Sequence, residues 1–259
     1  MAALPPIGPL IPTSVIIFAV VIVLVAGTVS GLTGFGFVLV SVTPLLLVFD
    51  PATVVMITLS LNLLTSIVVT LEARQKIRWR TVLSLLPWAS AGLYAGVILL
   101  KTLDAAVIKL IAGGIVGAFA LLFLTGRRLP GTGTARAVAL PGVVSGVLTT
   151  STGLTGPPIV VLLTGREFAP QPFRASAAAF FVPIDVFGIA TLISQGTVRR
   201  SDLGIVALLA PIAIGGTLIG GRLARHVSVA AFRRIILILL LLTGIVGSTS
   251  AVLTLLRPS

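Results

Sequence analysis

Two glycine-rich stretches decide the fold: Gly31-Leu32-Thr33-Gly34-Phe35-Gly36 and Gly146-Val147-Leu148-Thr149-Thr150-Ser151-Thr152-Gly153-Leu154-Thr155-Gly156-Pro157-Pro158. Each interrupts an apolar run, and no charged residue lies within or beside either one. Glycine, serine and threonine in such numbers do not extend an apolar helix well. We therefore predict that each stretch, called here the first and the second break, is the tip of a re-entrant helical hairpin at membrane depth.

The composition is that of an integral membrane protein. Of 259 residues, 57% are hydrophobic and 9% charged, and the mean hydropathy is +1.21. Soluble domains carry roughly 25% charged residues. The alternating pattern of barrel strands is absent, so the apolar runs predict an all-α membrane protein.

The chain has a formal net charge of +12, but this does not indicate nucleic-acid binding. The basic residues lie in the loops between apolar runs, as the positive-inside rule requires. The first of them is Arg74. Without a basic residue before the apolar segment that starts at Val15, we expect that segment to be retained rather than cleaved.

The apolar segments repeat in order, which predicts two inverted repeats of five helices each, with boundaries at 1–130 and 131–259. Each repeat consists of a hairpin of two short helices and three transmembrane helices. The first has its hairpin at about 15–49 and spans at about 53–71, 82–100 and 107–125. The second has its hairpin at about 137–165 and spans at about 175–194, 203–221 and 232–256. Pro87, Gly92, Gly96 and Lys109 recur as Pro211, Gly216, Gly220 and Arg233 at one offset of 124 residues, whereas the offset at the breaks is 115.

Loop charges predict the orientation. The loops 72–80, 126–136, 166–174 and 222–234 fall on one side and hold 13 of the 18 basic residues. That side is predicted to be cytoplasmic, which puts both termini outside the plasma membrane. Charge does not distinguish re-entrant from fully spanning segments, but the short segments beside the breaks favour hairpins.

Interrupted helices in inverted repeats are typical of the binding sites of secondary transporters. A helix that begins inside the membrane has free N–H groups and a positive dipole end, which suit an anion. We predict a small-anion site formed by Thr33, Gly34, Gly36, Asn62, Ser151, Thr152, Gly153, Thr155 and Gly156. The alternative is that small residues only let helices pack closely, and we favour it for Gly92, Gly96, Gly216 and Gly220.

Asp185 is the one acidic residue at the centre of a predicted span, where a carboxylate is costly and usually functional. One interpretation is proton coupling; the other is a structural hydrogen bond to Asn62 or to a free backbone group. Arg174, at the cytoplasmic start of its span, could attract an anion, but we interpret it as an ordinary basic flank. The sequence predicts no metal and no cofactor. It lacks cysteine and has one histidine, His226, in a loop, so the parts of an intramembrane enzyme are missing.

The breaks resemble those of the TauE/SafE family of sulfite and organosulfur-anion exporters. The resemblance lies in Val29-Ser30-Gly31 with Gly34-Phe35-Gly36, in Val144-Ser145-Gly146 with Gly153-Leu154-Thr155-Gly156-Pro157-Pro158, and in Phe173-Arg174-Ala175. It implies movement of sulfite, thiosulfate, sulfoacetate or a related small anion across the membrane, often outward.

The sequence thus predicts a secondary transporter of a small sulfur-containing anion that works by alternating access. Its partners are the anion, the lipid bilayer and, if Asp185 titrates, protons; the sequence leaves the oligomeric state open. The alternatives are an anion channel on the same scaffold and a purely structural membrane subunit.

Overall fold

The computed structural model describes residues 12–45, 47–49, 51–102, 135–152, 155–194, 200–228, 230–232, 234–235 and 238. All regular elements in these ranges are helical. They are α1 (Thr13–Thr33), α2 (Phe37–Leu45), α3 (Pro51–Glu72), a 3-10 helix (Arg74–Lys76), α4 (Trp79–Thr102), α5 (Ala135–Thr152), α6 (Gly156–Gly165), α7 (Pro170–Ser194) and α8 (Arg200–Ala224). The predicted span 107–125 lies outside the described residues, as does most of the span 232–256.

Four of the described helices are long and apolar enough to cross a membrane. They are Thr13–Thr33, Thr53–Glu72, Pro170–Thr191 and Asp202–Ala224. The helices α3, α4, α7 and α8 extend over residues 53–71, 82–100, 175–194 and 203–221, where spans were predicted.

The expectation of two short helices in the first hairpin is wrong for α1, which has 21 residues. Such a helix is about 31 Å long. It continues through Ser30 and Gly31 because Gly31 is packed against α8, and it ends with Gly34. The return helix α2 is short, with 9 residues. In the second hairpin, α5 likewise continues into the second break and ends at Thr152.

Glycines bring α1 against α8 at van der Waals distance. A Cβ atom on Gly27 would lie 2.6 Å from the carbonyl oxygen of Ala213, and one on Gly31 would lie 2.1 Å from that of Thr217. The two contacts advance together along both helices, so α1 and α8 run parallel. From the other side, a Cβ on Gly220 would lie 2.0 Å from the Thr28 carbonyl oxygen. The backbones themselves therefore form this interface.

The pair α4 and α5 packs in the same way. A Cβ on Gly92 would lie 2.1 Å from the Val143 carbonyl oxygen, and one on Gly146 would lie 2.1 Å from that of Ala89. Gly92 and Gly216 are thus packing glycines, as the sequence suggested, and each belongs to a closely packed helix pair.

The two helix pairs share one register. Gly27 contacts Ala213 as Gly146 contacts Ala89. Gly27 in α1 and Gly146 in α5 are 119 residues apart, and Ala89 in α4 and Ala213 in α8 are 124 residues apart. The helix starts at Phe37 and Gly156 are also 119 residues apart, as are those at Pro51 and Pro170. The structural offset at the breaks is therefore 119, about one helical turn from the offset of 115 that the Val-Ser-Gly match suggested.

The described helices pack in two groups that cut across the boundary between residues 130 and 131. One buried apolar core is built from α1, α2, α3 and α8. The other is built mainly from α4, α5, α6 and α7. Each group consists of a hairpin and the following helix, completed by a helix from the other half of the chain.

Three of the four loops predicted to share a side meet at one end of the molecule. Gln171 Nε2 donates to the Ala224 carbonyl oxygen at 3.1 Å, and the Arg78 N–H donates to Ser176 Oγ at 3.0 Å. At the opposite end, Thr53 Oγ1 donates to Asp202 Oδ1 at 2.9 Å. The fourth loop, 126–136, lies almost wholly outside the described residues.

The helix pair α1–α8 allows a matched stability test. Gly220→Ala places a methyl group 2.0 Å from the Thr28 carbonyl oxygen, whereas Gly215→Ala meets no heavy atom within 4 Å. We expect Gly220→Ala to destabilise the protein by about 1–3 kcal/mol through overpacking. Thermal unfolding in detergent, followed by tryptophan fluorescence, measures the difference. Equal unfolding temperatures for the two variants would contradict the close packing.

Candidate functional site: two helix breaks that meet

The first break is a turn in which two glycines have positive φ and a threonine hydroxyl contacts two carbonyl oxygens. Gly34 ends α1 with φ of 80°, and its N–H donates to the Ser30 carbonyl oxygen at 2.7 Å. Gly36 has φ of 97°, and its carbonyl oxygen accepts from the Val40 N–H at 3.0 Å, which starts α2. The buried Thr33 Oγ1 lies 2.8 Å from the Val29 carbonyl oxygen and 2.5 Å from that of Phe35. Its hydroxyl therefore holds the turn together.

Gly34 is packed closely against another helix. A Cβ there would lie 2.2 Å from the carbonyl oxygen of Arg174, so the break is pressed directly onto the backbone of α7. A positive φ and this contact both require glycine.

The second break starts α6 at Gly156, with Pro157 and Pro158 buried in its first turn. Proline is tolerated there, because its missing N–H is not needed in the first turn of a helix. Thr155, at the N-cap, makes no side-chain capping bond. Instead its hydroxyl lies 3.1 Å from Thr149 Oγ1, and its carbonyl oxygen accepts from Ser145 Oγ at 2.7 Å.

Ser145 and Thr149 therefore stabilise the second break, and the predicted site did not include them. The available signal was the Val144-Ser145-Gly146 match, which places a serine one turn before Thr149 on the same helix face.

The two breaks meet around a cavity of about 10 Å³. Its lining consists of Phe35, Gly36, Val38, Leu39, Asn62, Thr155, Gly156 and Phe181. Four predicted site residues thus come together: Gly36, Asn62, Thr155 and Gly156. Thr33 and Gly34 do not line this cavity. Gly153 lies outside the described residues, and of Ser151 and Thr152 only the helical backbone is described.

Asn62 links the cavity to Asp185. Asn62 Nδ2 donates to Asp185 Oδ2 at 2.6 Å, between α3 and α7. The Asp185 side chain is fully buried, and its Oδ1 has no hydrogen-bond partner among the described residues. The hydrogen bond that the sequence offered as one interpretation is present. Asp185 Oδ1 is thus a buried polar atom that the hydrogen bond with Asn62 does not satisfy.

The interpretation of Arg174 as an ordinary basic flank is wrong, because its side chain is only 2% exposed. Its Nη2 lies 2.7 Å from Glu72 Oε2, and its Nε donates to the Gly31 carbonyl oxygen. One guanidinium therefore joins α7 to the end of α3 and to the last turn of α1, next to the first break. The sequence could not show this, since Glu72 is 102 residues away.

Apolar helices of membrane-spanning length, broken at two points that meet inside the protein, define a multi-pass membrane protein of the transporter class. The family model described as Sulfite exporter TauE/SafE matches residues 19–246. The chain belongs to this family. It is also similar to the "Probable inner membrane transporter protein TsaS" of Comamonas testosteroni, with 31% identity over 183 residues, which cover 66% of this chain and 72% of that protein. No solved structure matches the chain. The family and this relative indicate a transporter rather than an enzyme.

Arg174 can be tested against the second arginine that contacts the same carboxylate. Arg174→Gln leaves Glu72 without its buried partner, which typically costs about 3–5 kcal/mol. Arg225, whose side chain is 64% exposed, also contacts Glu72, and Arg225→Gln should cost no more than about 1 kcal/mol. Unfolding temperatures in detergent compare the two variants, and equal losses would show that Arg174 is not the principal link.

Proposed function

We propose that the protein is a secondary transporter of a small sulfur-containing anion, which binds where the two breaks meet. The observation that carries this proposal is the cavity shared by Gly36, Asn62, Thr155 and Gly156, in a chain of the sulfite exporter family. The relative with a transporter name supports the same class. Sulfite, thiosulfate and sulfoacetate are the substrates to test first.

The donors for the anion come unequally from the two breaks. The N–H groups in the first turn of α2 are directed towards the break, and Val38 and Leu39 of that turn line the cavity. In α6, Pro157 and Pro158 have no N–H, so Gly156 has the one backbone donor of the first three residues. The Asn62 amide adds a side-chain donor. Both helix dipoles present their positive ends to the same point.

The cavity has room for about one water molecule. An oxyanion with four or more non-hydrogen atoms needs more room, so the breaks must separate before it binds. This favours alternating access, in which the structure corresponds to a contracted state of the site. An open channel would need a continuous wide path, and for that reason we rank it second.

We infer that the chain is an inverted repeat, as the sequence predicted. The shared register of the pairs α1–α8 and α5–α4 at offsets of 119 and 124 supports the duplication. The moving bodies would then be the two packing groups, α1–α3 with α8 and α4–α7, rather than the two halves of the chain. They would move against each other at the contact of α3 with α7, where Asn62 meets Asp185.

We also propose an inner-membrane location, with the end formed by loops 72–80, 166–174 and 222–234 on the cytoplasmic side and both termini outside. The charge of these loops supports this orientation, and the name of the relative supports the location.

Flux through the purified protein tests the site. In proteoliposomes we expect saturable uptake of one labelled sulfur anion among sulfite, thiosulfate and sulfoacetate, and none of chloride. Gly156→Leu should lower this flux at least tenfold, because the side chain fills the cavity. Gly156→Ala should retain flux, since its Cβ meets only Phe35, at an ordinary 3.6 Å. Gel filtration confirms that both variants fold. Wild-type flux in Gly156→Leu would contradict the site, and unsaturable flux of all anions would favour the channel.

Asp185→Asn tests proton coupling. An imposed pH gradient should accelerate uptake several-fold in the wild type and leave the variant unaffected, because the amide cannot carry a proton through the cycle. Asp202→Asn is the matched control. Asp202 is also a buried carboxyl group, but it contacts Thr53 at the end of the molecule away from the three loops. If Asp185→Asn keeps the full response to the gradient, Asp185 has a structural role only.

A further inference from the structure

A second cavity, of about 480 Å³, lies beside the first break at the end where the three loops meet. We call it the basic vestibule. It is lined by Glu72, Ala73, Arg74, Gln75, Lys76, Gln171, Arg174 and Arg225. Its volume is in the usual range for small-ligand sites, roughly 300–1,000 Å³. It is therefore large enough for an oxyanion, unlike the space between the breaks.

The charges of the vestibule favour an anion. Four of its lining residues are basic and one is acidic, so its formal charge is +3. The amides of Gln75 and Gln171 add polar groups. A concave site lined mostly by one sign of charge raises the local concentration of the opposite ion.

One oxyanion, the carboxylate of the lining residue Glu72, is already bound by the arginines of the vestibule. Its Oε2 lies 2.7 Å from Arg174 Nη2, and its Oε1 lies 3.1 Å from Arg225 Nη2. Two guanidinium groups thus share the two oxygens of a single carboxylate. An oxyanion with two or more oxygens presents the same pattern of acceptors.

The side chains of the two arginines differ in how firmly they are held in place. Arg174 is buried and also bound to the Gly31 carbonyl oxygen, so it is fixed. Arg225 is 64% exposed, and exposed ion pairs are worth only about 0.2–1 kcal/mol. Arg225 can therefore leave Glu72 for an incoming anion at little cost. Lys76 and Arg74, on the 3-10 helix, are exposed and also line the vestibule.

The vestibule is connected to the first break through Arg174. The guanidinium of this residue faces Glu72, and its own carbonyl oxygen is pressed against Gly34. An anion in the vestibule is thus separated from the break by a single residue.

We propose that the basic vestibule is a second anion-binding site, in which Arg225 and Lys76 hold a free small oxyanion of the sulfite, thiosulfate or sulfonate class before it passes the first break. The identity of this anion rests on the proposed function.

The test is the binding of radiolabelled thiosulfate to the full-length protein in phosphatidylcholine nanodiscs, with a scintillation proximity readout. The double variant Arg225→Gln/Lys76→Gln should raise the Kd at least tenfold, because it removes the two exposed cations without burying an unpaired charge. Arg80→Gln is the matched control, since Arg80 is an exposed cation from the same part of the chain that does not line the vestibule. Its Kd should stay within twofold of the wild type.

Two further arms separate the vestibule from other sites and other ligands. The measurement is repeated in a Gly156→Leu background, in which the site between the breaks is filled, and adding Arg225→Gln/Lys76→Gln to it should raise the remaining Kd at least tenfold. In discs that contain phosphatidylglycerol the Kd should not change. A loss of thiosulfate binding there would show that a lipid headgroup occupies the vestibule and would overturn the proposal. Wild-type affinity in the double variant, or no binding to the wild type, would also overturn it.

Binding is measured without flux, so the two proposals can fail separately. If thiosulfate binds through Arg225 and Lys76 but no tested anion is transported, the transport proposal fails and the vestibule remains. If transport is saturable but the double variant binds normally, the vestibule fails and the site between the breaks remains.

Discussion

The guanidinium of Arg174 is the interaction on which the arrangement of the breaks depends. It is buried, carries a charge, and is satisfied by the Glu72 carboxylate and the Gly31 carbonyl oxygen. The backbone of the same residue is pressed against Gly34. A buried charge is tolerated only when it is paired and hydrogen-bonded, so the ends of α1 and α3 must stay where these partners are. The position of the first break follows from this requirement.

Glycine has three different tasks in this fold. At Gly34 and Gly36 it gives the positive φ that ends one helix and starts the next. At Gly31 and Gly220 it removes the side chain where α1 and α8 touch backbone to backbone. At Gly156 it leaves space, since a Cβ there would meet only the ring of Phe35 at 3.6 Å. Within lipid the hydrophobic effect does not drive helices together, so the close contacts of the second kind supply much of the packing energy.

Polar groups at membrane depth are arranged as short chains of contacts. Ser145, Thr149 and Thr155 satisfy one another at the second break, and Thr33 satisfies its own turn at the first. Asn62 stands between the shared cavity and Asp185. Of the hydroxyl groups that the sequence suggested as ligands, those of Thr33 and Thr155 thus stabilise the breaks, because an unbonded polar group is expensive where water is absent. Among the described residues that line the shared cavity, backbone N–H groups and the Asn62 amide are left as donors for a ligand.

The sequence by itself determined the class of fold and where the two breaks interrupt the apolar runs, and it offered the hydrogen bond between Asn62 and Asp185 as one of its interpretations. Hydropathy, proline and glycine act locally, and a polar residue inside an apolar span needs another polar group as a hydrogen-bonding partner. Only the tertiary structure decided that α1 continues to Thr33, that each packing group takes a helix from the other half of the chain, and that Arg174 is buried beside Gly31. These features rest on contacts between residues far apart in the chain, from 51 positions for Gly92 and Val143 to 186 positions for Gly31 and Thr217. Short-range patterns carry no information about such contacts, since helix length and charge burial at these points depend on which neighbour is present to satisfy them.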